Sequence, residues 1–143
     1  MRLHASCVIL QGRGVLLRGP SAIGKSDLAL RLIDRGAVLV ADDQVLLACQ
    51  EGRLLASPPE ALAGLLEVRG LGILRFPHQT RAPLALLVNL VEPEEVERMP
   101  DNATDSLLGV SLPLRILTAR EPSADLKVRL AVQHAAGLIM SAP

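Results

Sequence analysis

From residue 19 to residue 26 the chain reads Gly-Pro-Ser-Ala-Ile-Gly-Lys-Ser, the spacing G-x-x-x-x-G-K-[ST]. Glycines at both ends of such a loop let the backbone curl until successive N–H groups converge on one point, and a helix starting directly after adds its positive end. Phosphate oxygens are what such a nest holds. Gly19, Pro20, Ser21, Ala22, Ile23, Gly24, Lys25 and Ser26 are therefore the candidate nucleotide-binding residues. Lys25 is placed to neutralise the β and γ phosphates of a nucleotide, and the Ser26 hydroxyl to ligate Mg²⁺. The feature constrains the fold as strongly as the function, because the motif requires a strand before it and a helix after it. Val15-Leu16-Leu17 supplies the strand. Leu28, Ala29, Leu32 and Ile33 supply a helical face over residues 25–35, with Gly36 as its stop.

The other elements fit an α/β domain around that loop. Residues 7–10 and 15–17 flank Gln11-Gly12-Arg13-Gly14 and read as a hairpin. Residues 37–41 are continuously apolar, as in a strand covered on both faces, and run directly into Asp42-Asp43. A second hairpin is expected from residues 45–48 and 53–56, around Glu51-Gly52. Pro58-Pro59 precedes a short helix over residues 60–66, and residues 67–72 read as a loop. Residues 84–91 form a central strand, residues 92–99 are ambiguous, and residues 114–118 form a last strand. A closing helix covers residues 126–140 with Leu126, Leu130 and Ala131 on one side. In open α/β sheets, ligands bind outside the carboxyl ends of strands. Asp42 and Asp43 therefore meet the phosphate loop if their strands are neighbours, where a carboxylate can hold Mg²⁺ or accept a hydroxyl proton.

Composition removes several function classes. The 143 residues suit a single domain over residues 1–143, and half of them are apolar. The 15 basic and 15 acidic side chains cancel, which leaves no electrostatic footprint for nucleic acid or a membrane surface. With one Phe, no Trp and no Tyr there is no platform for stacking single-stranded bases. Cys7 and Cys49 stand apart, each in an apolar run, and read as buried thiols. The apolar run near the start is too short for a signal-peptide core, and none approaches the ~18 to 20 residues of a membrane span, so a cytoplasmic location is expected. His78 and His134 belong to no motif.

Taken together, these residues resemble the bacterial HPr kinase/phosphorylases. The resemblance is collinear: His4 ahead of the first strand, the loop at 19–26, Arg35-Gly36, Ala41-Asp42-Asp43, then Leu66-Glu67-Val68-Arg69-Gly70-Leu71-Gly72-Ile73. It covers nearly the whole chain and corresponds to the family's catalytic domain without the N-terminal domain of longer members. It implies a P-loop kinase-like α/β domain, with a mixed, mainly central sheet flanked by helices. It also implies phosphorylation of a serine of an HPr-like phosphocarrier, with ATP and Mg²⁺, by a homo-oligomer, a hexamer in the family. Asp43 would take the serine proton with His4 beside it, Lys25 would hold phosphate, Ser26 and Glu67 would bind Mg²⁺, and Arg98 would be a further functional arginine. A small-molecule kinase and a catalytically impaired nucleotide-binding regulator are the alternatives.

Three departures from the family pattern bear on function. Pro20 and Ala22 stand where the family has Asp and a central Gly in G-D-S-G-x-G-K-[ST]. The segment after Ile73 is shorter than in long relatives. The family's basic, glycine-containing loop linked to dephosphorylation reads Ala-Arg-Glu-Pro-Ser-Ala-Asp over residues 119–125, with Glu121 and Asp125 expected to oppose Arg120. The kinase direction is expected to survive and phosphorolysis to be weak.

Overall fold

Gln11 and Gly12 take φ values of 53° and 77°, the paired positive angles of a type I′ turn, whose twist matches that of two antiparallel strands. They join β1 (Arg2–Leu10) to β2 (Arg13–Arg18), in register from Leu10 opposite Arg13 to Ala5 opposite Arg18. The same pairing of positive angles recurs at Glu51-Gly52, between β4 (Gln44–Gln50) and β5 (Arg53–Ser57). It appears again at Leu108-Gly109, between β9 (Ala103–Leu107) and β10 (Val110–Leu117). The computed structural model describes residues 1–143 throughout.

The helix α1 (Lys25–Asp34) turns Leu28, Ala29 and Leu32 inward. It ends in a Schellman motif: Gly36, at φ 105°, donates to the Ile33 carbonyl and Ala37 to that of Leu32. β3 (Val38–Ala41) follows and pairs antiparallel with β1. β8 (Ala82–Leu90) is the central strand, parallel to both β2 and β10 and antiparallel to β5. Since β1 also pairs with β4, the strands β1, β4, β5, β8 and β2 close on one another. Inside that ring lie Ala5, Cys7, Leu16, Val45, Leu54 and Leu87. On the opposite face α1 and α2 (Ala124–Ala135) cover Val15, Leu17, Leu86, Val88 and Leu90. The two helices thus share one side of the mixed sheet. No helix is long and apolar enough to cross a membrane.

Several sequence expectations shift. His4 lies within β1, which starts at Arg2, not ahead of it. The helix expected over residues 60–66 shrinks to one 3₁₀ turn, Glu60–Leu62, because Ala63 turns extended at ψ 128° and Gly64 enters the left-handed region at φ 77°. Residues 67–72 are not a loop. β6 (Leu65–Val68) and β7 (Gly72–Arg75) form a two-stranded ribbon anchored by fully buried Leu66, with Arg69-Gly70-Leu71 as its turn. β9 escaped the sequence reading because Ala-Thr-Asp-Ser-Leu has no apolar alternation, as befits an edge strand.

The closing helix stops at Ala135, where Gly137 at φ 77° ends it in a second Schellman motif, and it buries Ala124, Val128, Ala131 and Val132. Leu126 and Leu130 face outward instead, because the small side chains form the stripe that fits closely over the sheet. Cys49 is exposed near its hairpin tip, contrary to the expectation, while Cys7 is buried in the ring. Burial pushes the Cys7 thiol up to about 12, only partly offset by a backbone hydrogen bond from Val15, so it remains a protonated, inert hydrophobe.

Candidate active site

The phosphate loop leaves β2 at Gly19, and its course depends on two missing side chains. A Cβ on Gly19 would lie 2.8 Å from Ile23 Cγ2 and 2.9 Å from the Leu90 carbonyl oxygen. Gly24, at φ 106°, would press a Cβ to 2.9 Å from Ala119 Cβ. Ile23 is buried and pins the loop to the core below, while Pro20, Ser21 and Ala22 arch into solvent. The N–H groups of Ser21, Ala22, Gly24, Lys25 and Ser26 donate to no protein acceptor, whereas Ile23 N–H closes a turn on the Pro20 carbonyl. The unpaired donors at the start of α1 are what an anion requires. Ala22 sits at φ 66°, where an L side chain costs about 1–2 kcal/mol. That angle accounts for the glycine the family pattern has at this position.

Lys25 is largely buried, and its ammonium donates to the carbonyls of Gly19 at 2.6 Å and Pro20 at 2.9 Å. Burial holds its pKa below the usual lysine value, against the opposing pull of the Asp43 and Asp42 charges. A phosphate in the loop would supply the anion that this buried cation lacks.

The carboxylates arrive by topology. β2 and β3 both pair antiparallel with β1, so their carboxyl ends lie at one edge, and the first half of β1 enters that edge between them. Asp42 follows β3, and its side chain is nearly buried. Its Oδ1 accepts hydrogen bonds from Ser6 Oγ at 2.7 Å and Ser26 Oγ at 2.8 Å, and its Oδ2 lies 3.0 Å from Ser26 Oγ. The next residue is held quite differently. Gln44 N–H donates to the Asp42 carbonyl at 2.8 Å across Asp43 at φ 69°, a γ-turn of the rare, strained kind. This aims the Asp43 carboxylate outward to His4, with His4 Nε2 2.8 Å from Asp43 Oδ1; both side chains remain more than half exposed. A shallow basin of about 420 Å³ opens beside the pair, lined by Arg2, Leu3, His4, Asp43 and Gln44.

The sequence-derived set is therefore only partly brought together. Residues 19–26, His4 and Asp43 share one edge. Glu67 lies exposed on the β6–β7 ribbon, and neither it nor exposed Arg98, in the irregular segment after a 3₁₀ turn at Pro93–Glu95, makes a hydrogen bond or ion pair with the cluster. Ser6 was missed; its only signal is a hydroxyl within the apolar run Ala5-Ser6-Cys7-Val8. The sequence places Arg120 in the loop over 119–125 but carries no sign of its contacts. Its Nη2 donates to the Ala22 carbonyl at 3.0 Å, and its Nε and Nη2 lie 3.0 and 3.3 Å from the Glu92 carboxylate. Arg31 fastens the same segment to α1 through the carbonyls of Ala119 and Glu121.

A glycine-bounded phosphate nest between strand and helix, with two carboxylates beside it on a mixed sheet, defines a P-loop domain with a kinase-like fold. The model of one family, the HPr Serine kinase C-terminal domain, matches residues 1–123, and the chain belongs to that family. The HPr kinase/phosphorylase of Clostridium tetani (strain Massachusetts / E88) is 53% identical over 76 residues, 53% of this chain and 25% of that protein. That of Streptococcus thermophilus (strain CNRZ 1066) is 51% identical over 73 residues, 50% of this chain and 24% of that protein. The matches span about a quarter of the length of these curated relatives. The solved structure of the Hpr(Ser) kinase/phosphatase from Coxiella burnetii superposes with a TM-score of 0.85 at 29% identity, covering 95% of this chain and 96% of that one.

Proposed function

We propose that the chain is an ATP-dependent protein serine kinase that phosphorylates an HPr-like phosphocarrier in the cytoplasm and assembles as a homo-oligomer. The observation that carries this reading is the outward-facing His4–Asp43 pair at the same sheet edge as the phosphate loop. In the transfer, the serine oxygen bonds to the γ-phosphorus of ATP, the bond from that phosphorus to the β–γ bridging oxygen breaks, and ADP leaves. Asp43 takes the serine proton, with His4 orienting the carboxylate through Oδ1 and leaving Oδ2 for the hydroxyl. Lys25 and the free N–H groups of the loop hold the phosphates.

Mg²⁺ fits the residues present, since the Ser26 hydroxyl and Asp42 carboxylate are adjacent hard oxygen donors beside the nest. Ser26 and Asp42 would hold it, with Glu67 the further ligand that the family resemblance implies. When bound, the ion neutralises charge on the β and γ phosphates. Arg98 is retained from the resemblance as a further functional residue on an exposed segment.

Incubation with radiolabelled ATP, Mg²⁺ and the HPr-like proteins of the source organism tests the reading. Label on a carrier serine supports it; label on small molecules alone, or no turnover, contradicts it.

Phosphorolysis is expected to be slow, although one expected ground for it, two carboxylates opposing Arg120, is absent. Glu121 and Asp125 do not oppose Arg120, because Lys127 engages Glu121 and Arg35 lies 3.7 Å from Asp125. Arg120, the only cation of the loop over 119–125, is tied to Glu92, and Pro122 offers no N–H, so little there can hold inorganic phosphate in line. Pyrophosphate release from phosphoserine carrier at millimolar phosphate measures this; a rate near the forward rate contradicts it.

A further inference from the structure

The carboxyl edge has an order. β3 pairs with β1, β1 with β2, β2 with β8 and β8 with β10. Asp42 and Asp43 follow β3, the phosphate loop follows β2, Glu92 lies just past β8, and Arg120 just past β10. At about 4.8 Å per strand, the two ends of this row lie about 19 Å apart, with the phosphate loop between them. On the proposed function, in-line transfer puts the attacking hydroxyl at the Asp43 end and the departing ADP on the opposite side of the γ-phosphorus. The nucleoside must then extend toward Glu92 and Arg120.

The side chains there suit a neutral, flat ligand better than a phosphate. The Glu92 carboxylate takes two of Arg120's guanidinium nitrogens, so the cation is neutralised before any ligand arrives. Its Nη2 also holds the Ala22 carbonyl, which fixes the guanidinium plane at the flank of the loop. Both side chains are more than two-fifths exposed and open to contact. The chain has one aromatic residue, Phe76, and its N–H is bonded to the Gly64 carbonyl beside the β6–β7 ribbon. A purine at this end therefore has no aromatic ring to stack on, and a planar guanidinium is the side chain that takes that role.

We propose that Arg120 and Glu92 form the nucleoside subsite, with the Arg120 guanidinium against the purine face and the Glu92 carboxylate toward the ribose hydroxyls. The assignment rests on the phosphate loop binding ATP and is independent of which protein receives the phosphoryl group.

Calorimetric titration of the full chain with Mg-ATP and, separately, with Mg-tripolyphosphate tests it. Arg120→Ala is expected to weaken ATP binding about ten-fold. Tripolyphosphate affinity should stay within about two-fold, since the phosphate nest is untouched. Arg120→Lys keeps the charge and a donor for the Ala22 carbonyl but not the plane, and should resemble Arg120→Ala. Equal losses for both ligands would make Arg120 a brace of the loop and overturn the subsite, as would unchanged ATP affinity, or recovery of it in the lysine variant. Failure of the unsubstituted chain to bind either ligand would overturn the nucleotide reading and the subsite together, whereas intact ATP binding without carrier phosphorylation would overturn only the choice of acceptor.

Discussion

Asp42 and Asp43 are adjacent in sequence and chemically identical, yet the fold gives them opposite surroundings. Asp42 is buried, accepts hydrogen bonds from Ser6 and Ser26, and faces the phosphate loop. Asp43 stands on a strained turn, mostly in solvent, against the imidazole of His4. Environment divides two like carboxylates into two tasks. On the proposed function, the inner one would organise the Ser26 hydroxyl toward metal and phosphate, and the outer one would meet the incoming hydroxyl. Alternation along a strand would separate neighbours in this way, but the γ-turn at Asp43 makes the separation abrupt.

The largest expected effect breaks the outer half alone. Asp43→Asn keeps size and polarity but accepts no proton, so serine phosphorylation should fall by about 10² to 10⁴ with nucleotide affinity unchanged. Single-turnover assays beside a binding titration separate the two quantities; weakened ATP binding at intact turnover would move Asp43 to the phosphate side. Next, Lys25→Ala should abolish most of the thermal stabilisation by Mg-ATP, worth about 2.7 kcal/mol at ~100 times the dissociation constant. The binding has a pH signature too. Burial lowers the Lys25 pKa in the free protein and a bound polyanion raises it again, so binding should take up protons at alkaline pH, between the lowered and the ordinary lysine value. Titration in two buffers of different ionisation enthalpy reads that uptake; a binding heat that does not depend on the buffer at alkaline pH would contradict it.

A smaller effect sharpens the contrast in stability. Asp42→Ala leaves the Ser6 and Ser26 hydroxyls without their acceptor and should cost about 1–3 kcal/mol in urea denaturation. Asp43→Gly loses an exposed contact but relaxes a φ of 69°, and should cost less than about 1 kcal/mol or even stabilise. Equal losses in the two variants would mean that the two environments differ less than their burial indicates.

How far the sequence anticipated this site varies residue by residue. The phosphate loop was legible because its constraint is local: two glycines, a lysine and a serine at fixed spacing, with a strand before and a helix after. The strand ending in Asp42-Asp43 was legible from a continuous apolar run. Choosing between the two aspartates structurally was not, because that depends on Ser6 and His4 arriving from β1, some 36 to 39 residues earlier in the chain. The β6–β7 ribbon reads as a loop in sequence because its exposed glycines and charges carry no strand alternation. Arg120 on Ala22 spans 98 residues and has no local signature at all.

The division between the two carboxylates is tested most directly by the Mg²⁺ dependence of ATP binding in Asp42→Asn and Asp43→Asn, measured by calorimetry without any acceptor protein. Asp42→Asn is expected to shift the Mg²⁺ requirement to about ten-fold higher concentration, the loss of roughly one charge-assisted ligand contact, while Asp43→Asn follows the unsubstituted chain. A shift in Asp43→Asn with none in Asp42→Asn would contradict it.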